Sequence, residues 1–558
     1  MSKKYLWVLL ILILPTFSLM LKNGIYTMHD FHVFRQQQFD KCLRERYFPC
    51  RWAADAGLGY GEPVFNFYGQ FPYWVGQIFR TAGLQIIDSV KINFILTLVL
   101  SAVAMFFLAR RFWGNLGGTV SALFYVYAPY RAVDVWVRGA LSEAYAFVFL
   151  PVIFLSLDIF LQTRSRKSFF WLALSLTGLL ITHNLSFLML APFLGIWAVS
   201  RLWGKSWRLH LTHFFCLPLL VFLLSGFYLL PVIFESFLVT VGQTTQNYYN
   251  YRIHFTTLYQ LFVSRFWGYG GSTWGPNDTM SFSIGHLHWV IAALLVITAL
   301  VSKKLTHHKS LIIILSLMGL LAIFLTHGKS EIIWRLLPPL SFIQFPWRFL
   351  TFSTFFLSLL SGAIALVFPK KILIILINLV ILINFNFFRP DIWRSITDTQ
   401  QFSGPLWDEQ RSSALRDFWP KSASQLPTDF AFSGPKILLD TSEYQKIQYP
   451  IVYFPGWKSQ VDLFPSGPLG LITARVPLDT QITLKFTDTP VRTIGNWTSL
   501  IALFSFLIWR LKLPRPNGRG IFNSASSELK SSEAENISAS HDLTIGKFRE
   551  GGLKYVQN

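Results

Sequence analysis

The stretch INFILTLVLSAVAMFFLARR, residues 92–111, decides what kind of molecule this is. From Ile92 to Leu108 it carries no charged side chain, close to the roughly 20 apolar residues that an α-helix needs to cross a bilayer. It stops on Arg110 and Arg111, and an apolar run ending on paired arginines reads as a membrane span with its cytoplasmic end marked. The rest of the chain agrees. Of 558 residues, 52% are hydrophobic and only 14% are charged, against roughly 25% charged in ordinary soluble proteins. So little polar surface cannot keep a chain of this length in solution, which excludes a string of soluble domains. Aromatic residues, at 17%, suit a protein with wide interfacial belts.

About twelve such runs occur, and the chain reads as a polytopic α-helical membrane protein. Besides 92–108 they cover 5–21, 118–128, 141–161, 169–181, 185–199, 211–232, 287–301, 311–325, 349–368, 372–388 and 500–509. Short cytoplasmic loops should carry the excess of Lys and Arg, which tests the alternation. With the N-terminus inside, every inside connection is basic: Lys3 and Lys4; Arg110 and Arg111; Arg164, Arg166 and Lys167; Arg201, Lys205 and Arg208. The series continues with Lys303, Lys304 and Lys309, then Lys370 and Lys371, then Arg510, Lys512, Arg515 and Arg519. Much of the net charge of +21 is therefore a topological mark. It is spread in twos and threes with no groove-sized face, so nucleic acid is not an expected partner. The loops 22–91, 234–286 and 389–496 fall outside. The first run also fits a cleaved signal peptide, although no small-x-small site follows it.

The expected organisation is a multi-span membrane domain over 1–388 and a small extracytoplasmic β-rich domain over 389–496. A last span over 497–511 and a disordered cytoplasmic tail over 512–558, rich in Ser, Gly, Glu and Lys, complete it. The alternating runs 469–476 and 481–487, joined through Pro477-Leu478-Asp479-Thr480, predict a β-hairpin in that domain. Residues 70–83 place Phe71, Trp74, Val75 and Ile78 at helical spacing, as in an amphipathic helix lying in the interface. Cys42 and Cys50 share the first outside loop and can pair in an oxidising compartment.

Acidic residues are scarce before 389, which makes those outside informative. The first loop begins Met28-His29-Asp30-Phe31-His32-Val33-Phe34-Arg35, close to the outer membrane surface. A carboxylate there can take a proton from a hydroxyl or bind a metal, His29 and His32 can tune it, and Arg35 can pair with phosphate. An ordinary solvated His-Asp pair fits the same residue types. A second cluster holds Arg131, Asp134, Arg138 and Glu143, the last at membrane level, where an ionisable group has a partner or a function. His183, in a turn, and Gln344 with Arg348, at the head of a span, fall on the same side, and Arg348 reads as a phosphate ligand or an interfacial anchor.

Together with Pro49-Cys50-Arg51-Trp52, the loop Gly57 to Pro63, Tyr453 to Trp457 and Thr489-Pro490-Val491-Arg492, these segments resemble the GT-C superfamily of membrane glycosyltransferases. Within it, the chain looks like the bacterial membrane family described as 6-pyruvoyl-tetrahydropterin synthase-related. The resemblance implies sugar transfer on the outer face from a polyprenyl-phosphate donor to a glycan or lipid acceptor of the cell envelope, in the plasma membrane. It makes Asp30 and Glu143 the catalytic candidates, with His29, His32, Arg35, Arg138, His183, Gln344 and Arg348 around substrate and phosphate. Some branches carry paired acids where this chain has Asp30 alone, so a divalent metal at Asp30 is an open expectation. A lipid-linked saccharide transporter and a non-catalytic polymer-binding protein are the alternatives from other classes.

Overall fold

The structure, a computed structural model, describes residues 2–204, 211–241, 245–272, 279–413, 418–441 and 443–511. The expected tail over 512–558 lies outside the described residues. Helix α1 (Ser2–Ile13) leads to strand β1 (Ile25–Tyr26) and to α2 (Asp30–Arg44). Short α3 (Val64–Phe67) and α4 (Phe71–Thr81) precede α5 (Ile86–Val126), α6 (Pro129–Ala132), α7 (Leu141–Thr163), α8 (Arg166–Leu180) and α9 (Asn184–Leu202). Next come α10 (Leu211–Leu224), α11 (Gly226–Glu235), α12 (Leu258–Phe262), α13 (His286–Val301), α14 (Lys309–Thr326), α15 (Glu331–Leu336), α16 (Leu350–Ser361) and α17 (Lys370–Asn384). The chain closes with β2 (Trp393–Arg394), α18 (Asp398–Gln401), α19 (Gly404–Ser413), strands β3 to β8 and α20 (Pro490–Leu511).

Among the described residues seven helices are long and apolar enough to span a membrane, or eight if Thr212–Leu224 and Gly226–Leu238, bent by 80°, count as one. This is fewer than the twelve runs read from sequence, for two reasons. Helices α1, α8 and α13 have 12, 15 and 16 residues, short of a full crossing. The runs 92–108 and 118–128 fall in the single 41-residue α5, interrupted at Gly114 by φ 71° and ψ −178°. A Cβ on Gly118 would lie 2.9 Å from the Phe106 carbonyl oxygen. Residues 106 and 118 of a straight helix stand about 18 Å apart, so α5 doubles back at Gly114. Only a glycine accepts that backbone readily.

The span 346–366 is 89% buried within the protein and forms the bundle centre, packed on α5 and α14, whereas 370–387 is 22% buried. On α17, Ile375 and Leu382 are 63% and 67% exposed, a face that water would not tolerate and lipid does. Helix α4 forms as expected, burying Tyr73 and leaving Ile78 exposed.

Residues 389–496 do not form a separate body: the chain divides into compact units at Leu503, and this segment belongs to the first, with the bundle. Strand β2 pairs antiparallel with β1, so Ile25 faces Arg394 and Tyr26 faces Trp393. Further on, β3 (Lys436–Leu439), β4 (Tyr444–Val452), β7 (Leu471–Pro477) and β6 (Leu463–Ser466) make an antiparallel sheet in the order β3-β4-β7-β6. The expected hairpin is therefore not formed. Both edges of β7 are occupied by β4 and β6, and the segment after Pro477 instead gives β8 (Lys485–Phe486), which pairs with β5 (Trp457–Lys458). Alternation reported correctly that these residues are extended, and said nothing about their partner.

Cys42 and Cys50 form a disulfide that ties the end of α2 to the following loop. Closing this short loop is worth about 2.5 kcal/mol in the chain-entropy account. A Cys42→Ser/Cys50→Ser double variant is expected to lower the detergent-state unfolding midpoint by a few degrees, and wild-type protein under reducing conditions should match it.

Candidate functional site

Helix α2 begins at Asp30, which takes the helix N-terminus, where a carboxylate is favoured by the backbone dipole. Its Oδ2 accepts from Arg394 Nη1 at 3.2 Å, across 364 residues of sequence, and its carbonyl accepts from Gln410 Nε2 at 3.2 Å. The side chain remains 22% exposed. Burial, partly offset by the Arg394 charge and reinforced by Glu409, raises the Asp30 carboxyl to about 6. Asp30 is thus a carboxylate reachable from solvent, held in one orientation and poised near neutrality.

The flanking histidines do something else. His29 Nε2 donates to the Val135 carbonyl at 2.8 Å and stacks on Phe94, while His32 Nε2 donates to the Gly139 carbonyl at 2.7 Å and its Nδ1 accepts from Tyr73. Burial lowers them to about 4 and about 3, so both are neutral at physiological pH. They pin the 133–140 loop to α2. Gly139, at φ +56°, is required there because a Cβ would collide with the Met28 carbonyl. Arg35 lies between the Phe31 and Tyr68 rings, 3.8 Å from each, and hydrogen-bonds with Tyr73.

The pinned loop delivers the second cluster. Glu143 Oε2 accepts from Arg138 Nη1 at 2.7 Å and lies 3.8 Å from Arg348 Nε, while Oε1 accepts from Tyr130 at 2.8 Å and from Thr351 at 2.9 Å. Asp134 bridges Arg138 at 3.3 Å and Arg131 at 3.1 Å. Burial, and then the Glu143 charge, push Asp134 above its usual range. Arg348 donates Nη1 to the Ile343 carbonyl and to Gln344 Oε1, and its Nε has no hydrogen-bond partner. His183 sits within electrostatic reach of Glu143, Arg138 and Arg348 and is held by Ser186. Glu143, Arg138, His183, Gln344 and Arg348 therefore come together around one carboxylate. Asp30 is not in direct contact with them and connects through His29, His32 and the loop. Glu143 is 1% exposed and fully engaged, which fits an anchor for two arginines better than an acid that meets substrate.

Three features escaped the sequence reading. Arg394, Glu409 and Gln410 complete the surroundings of Asp30, and no local pattern could have paired them with it. Thr351 binds Glu143 from a distant helix. Glu235, ending an apolar run, accepts from Arg492, Asn66 and Thr489, while Arg51 donates to Asn496. An acid at the start of an apolar run drew attention to Glu143, and the same signal at the close of a run applied to Glu235. At the other end of α7, about 22 Å from Glu143, buried Asp158 binds Arg111 and Arg201, each at 2.6 Å. That carboxylate ties three helices together.

No group of three or more His, Cys, Asp or Glu side chains among the described residues is arranged to hold a metal, and the Asp30 carboxylate is already paired with Arg394. The residues present do not make a metal site at Asp30. Comparison with curated proteins finds no significant match. Residues 65–389, more than half of the chain and including the Glu143 and Arg348 cluster, match the family model described as the 6-pyruvoyl-tetrahydropterin synthase related domain, a membrane protein family. With its apolar helices and this match, the chain is a multi-pass membrane protein that belongs to the 6-pyruvoyl-tetrahydropterin synthase related family.

Proposed function

We propose that the protein is a GT-C-like glycosyltransferase that moves a sugar from a polyprenyl-phosphate donor to an acceptor of the cell envelope, on the outer face of the plasma membrane, with both termini cytoplasmic. The observation that carries this reading is Asp30: a half-buried carboxylate beside the head of the bundle, oriented by Arg394 and raised to about 6. Such a group accepts a proton near neutral pH. In the reaction, Asp30 takes the proton of the acceptor hydroxyl while that oxygen attacks the anomeric carbon. The bond from the anomeric carbon to the lipid phosphate breaks, and the phosphate leaves with the bonding pair. Arg348 and Arg138 bind the phosphate, and Glu143 holds both in place.

The test is transfer of labelled sugar from a panel of polyprenyl-phosphate donors to envelope acceptors in reconstituted vesicles. A new glycosidic bond supports the reading, and movement of the lipid-linked sugar without one would replace it by transport. Activity should rise with pH through a limb near 6, because Asp30 must lose its proton to act as base. Stability runs the other way. The folded state binds the Asp30 proton more tightly than the unfolded chain, so between pH 3.8 and about 6 its contribution declines as pH rises.

A further inference from the structure

From Asp30 to Lys41 is about 17 Å along the axis of α2, and there a cavity of about 240 Å³ opens between the first loop and the C-terminal strands. Its floor is aromatic. Trp52 packs edge-on to Trp457 with ring centres 5.5 Å apart, and Phe486 lies 5.4 Å from Trp52 and 5.2 Å from Trp457. Tyr47 and Tyr60 continue this surface. The rim is polar and ordered: Asp55 receives Lys41 Nζ at 2.9 Å and Gln38 Nε2 at 2.8 Å, with Glu45 beside them. Trp457 Nε1 is buried with no hydrogen-bond partner, an unused donor in the wall.

Aromatic rings lining a cavity together with a carboxylate and an amide suit a ligand with one apolar face and hydroxyls around its edge. Lys41 is the one cation among the described lining residues and Asp55 neutralises it, so a phosphate or another anion gains little here and meets Glu45 as well. An acyl chain would leave the Trp457 Nε1 donor without a partner. The volume lies below the ~300–1,000 Å³ of a site for a whole drug-sized ligand and fits one ring of a longer chain.

We propose that this cavity is a saccharide subsite that holds one uncharged sugar ring of a glycan whose reacting end lies at Asp30. That the glycan is the acceptor rests on the sugar-transfer reading; recognition of a sugar at this cavity does not. The distance from Asp30 makes the bound ring several units removed from the reacting one, so the acceptor is an oligosaccharide rather than a single sugar.

The test uses the full-length protein in detergent on an array of immobilised bacterial and simple oligosaccharides. Retention of at least one class of uncharged glycan is expected. It should weaken about tenfold in Trp457→Ala, the order of one lost aromatic stacking contact, and be unchanged in Ile375→Ala, on the exposed apolar face of α17. Because removing an indole can unsettle the fold, Ala54→Phe, which fills the half-buried wall, serves as a second variant, with monodisperse elution and a native unfolding midpoint as controls. Retention of no glycan, or retention indifferent to both folded variants, overturns the proposal. Glycan retention by a wild-type protein that forms no glycosidic bond in vesicles would overturn the transferase reading and leave the subsite standing.

Discussion

Asp30→Asn is expected to lower sugar transfer by about 10²–10⁴-fold while the protein inserts and elutes like wild type and is no less stable. The isosteric amide still accepts from Arg394 Nη1 and still stands at the start of α2, so geometry survives and only the ability to take a proton is lost. The pH limb near 6 should vanish from whatever activity remains. Transfer in the variant within a few-fold of wild type would remove Asp30 from the chemistry. Arg394→Met separates orientation from proton transfer. Without its cation, burial acts on Asp30 unopposed, so the limb should move to higher pH rather than disappear.

The largest structural effect is expected at Glu143. Glu143→Ala leaves the Arg138 guanidinium with Asp134 as its remaining carboxylate and strips Tyr130 and Thr351 of their acceptor, all in a buried setting. Removing one member of such a network costs about 3–5 kcal/mol, enough to lower the thermal midpoint in detergent by many degrees or prevent accumulation in the membrane. A Glu143→Gln/Arg138→Met double variant removes both charges and keeps most of the volume, so it should recover a large part of that loss. If Glu143→Ala were as stable as wild type but inactive, Glu143 would be a group that meets substrate rather than an anchor.

The legible part of this protein was what depends on neighbours in sequence. Apolar runs gave the helices, and the amphipathic spacing at 71–78 gave α4. Glu143 could be identified because an acid at membrane level needs a partner, and Arg138, five residues earlier, supplied one. Arg348, 205 positions from Glu143, read as a phosphate ligand or an interfacial anchor, and no local pattern showed that it would stand 3.8 Å from that carboxylate. What failed was every pairing that required knowing which distant segment comes back. Residues 471–477 are extended, yet hydrogen bonding between strands is non-local, and the nearest extended segment was the wrong partner. Arg394 has acids nearby in sequence at Asp391 and Asp398, yet its partner is Asp30, 364 residues earlier. The count of spans suffered differently: hydropathy sees two apolar runs in α5 and cannot report that one glycine turns them into a hairpin.

The β1–β2 pairing also sets an order of events during synthesis. Asp30 leaves the ribosome early, but its orienting arginine and the strand that pins its loop are made 364 residues later. At roughly 5–20 residues per second, the carboxylate waits about 20–70 s before the site can close. Until then the newborn chain carries an acid without its cation and a two-residue strand without its mate. A nascent chain stopped before residue 393 would present every span up to α17 and still be unable to assemble the Asp30 site, so quality control acting on this protein has a late checkpoint rather than an early one.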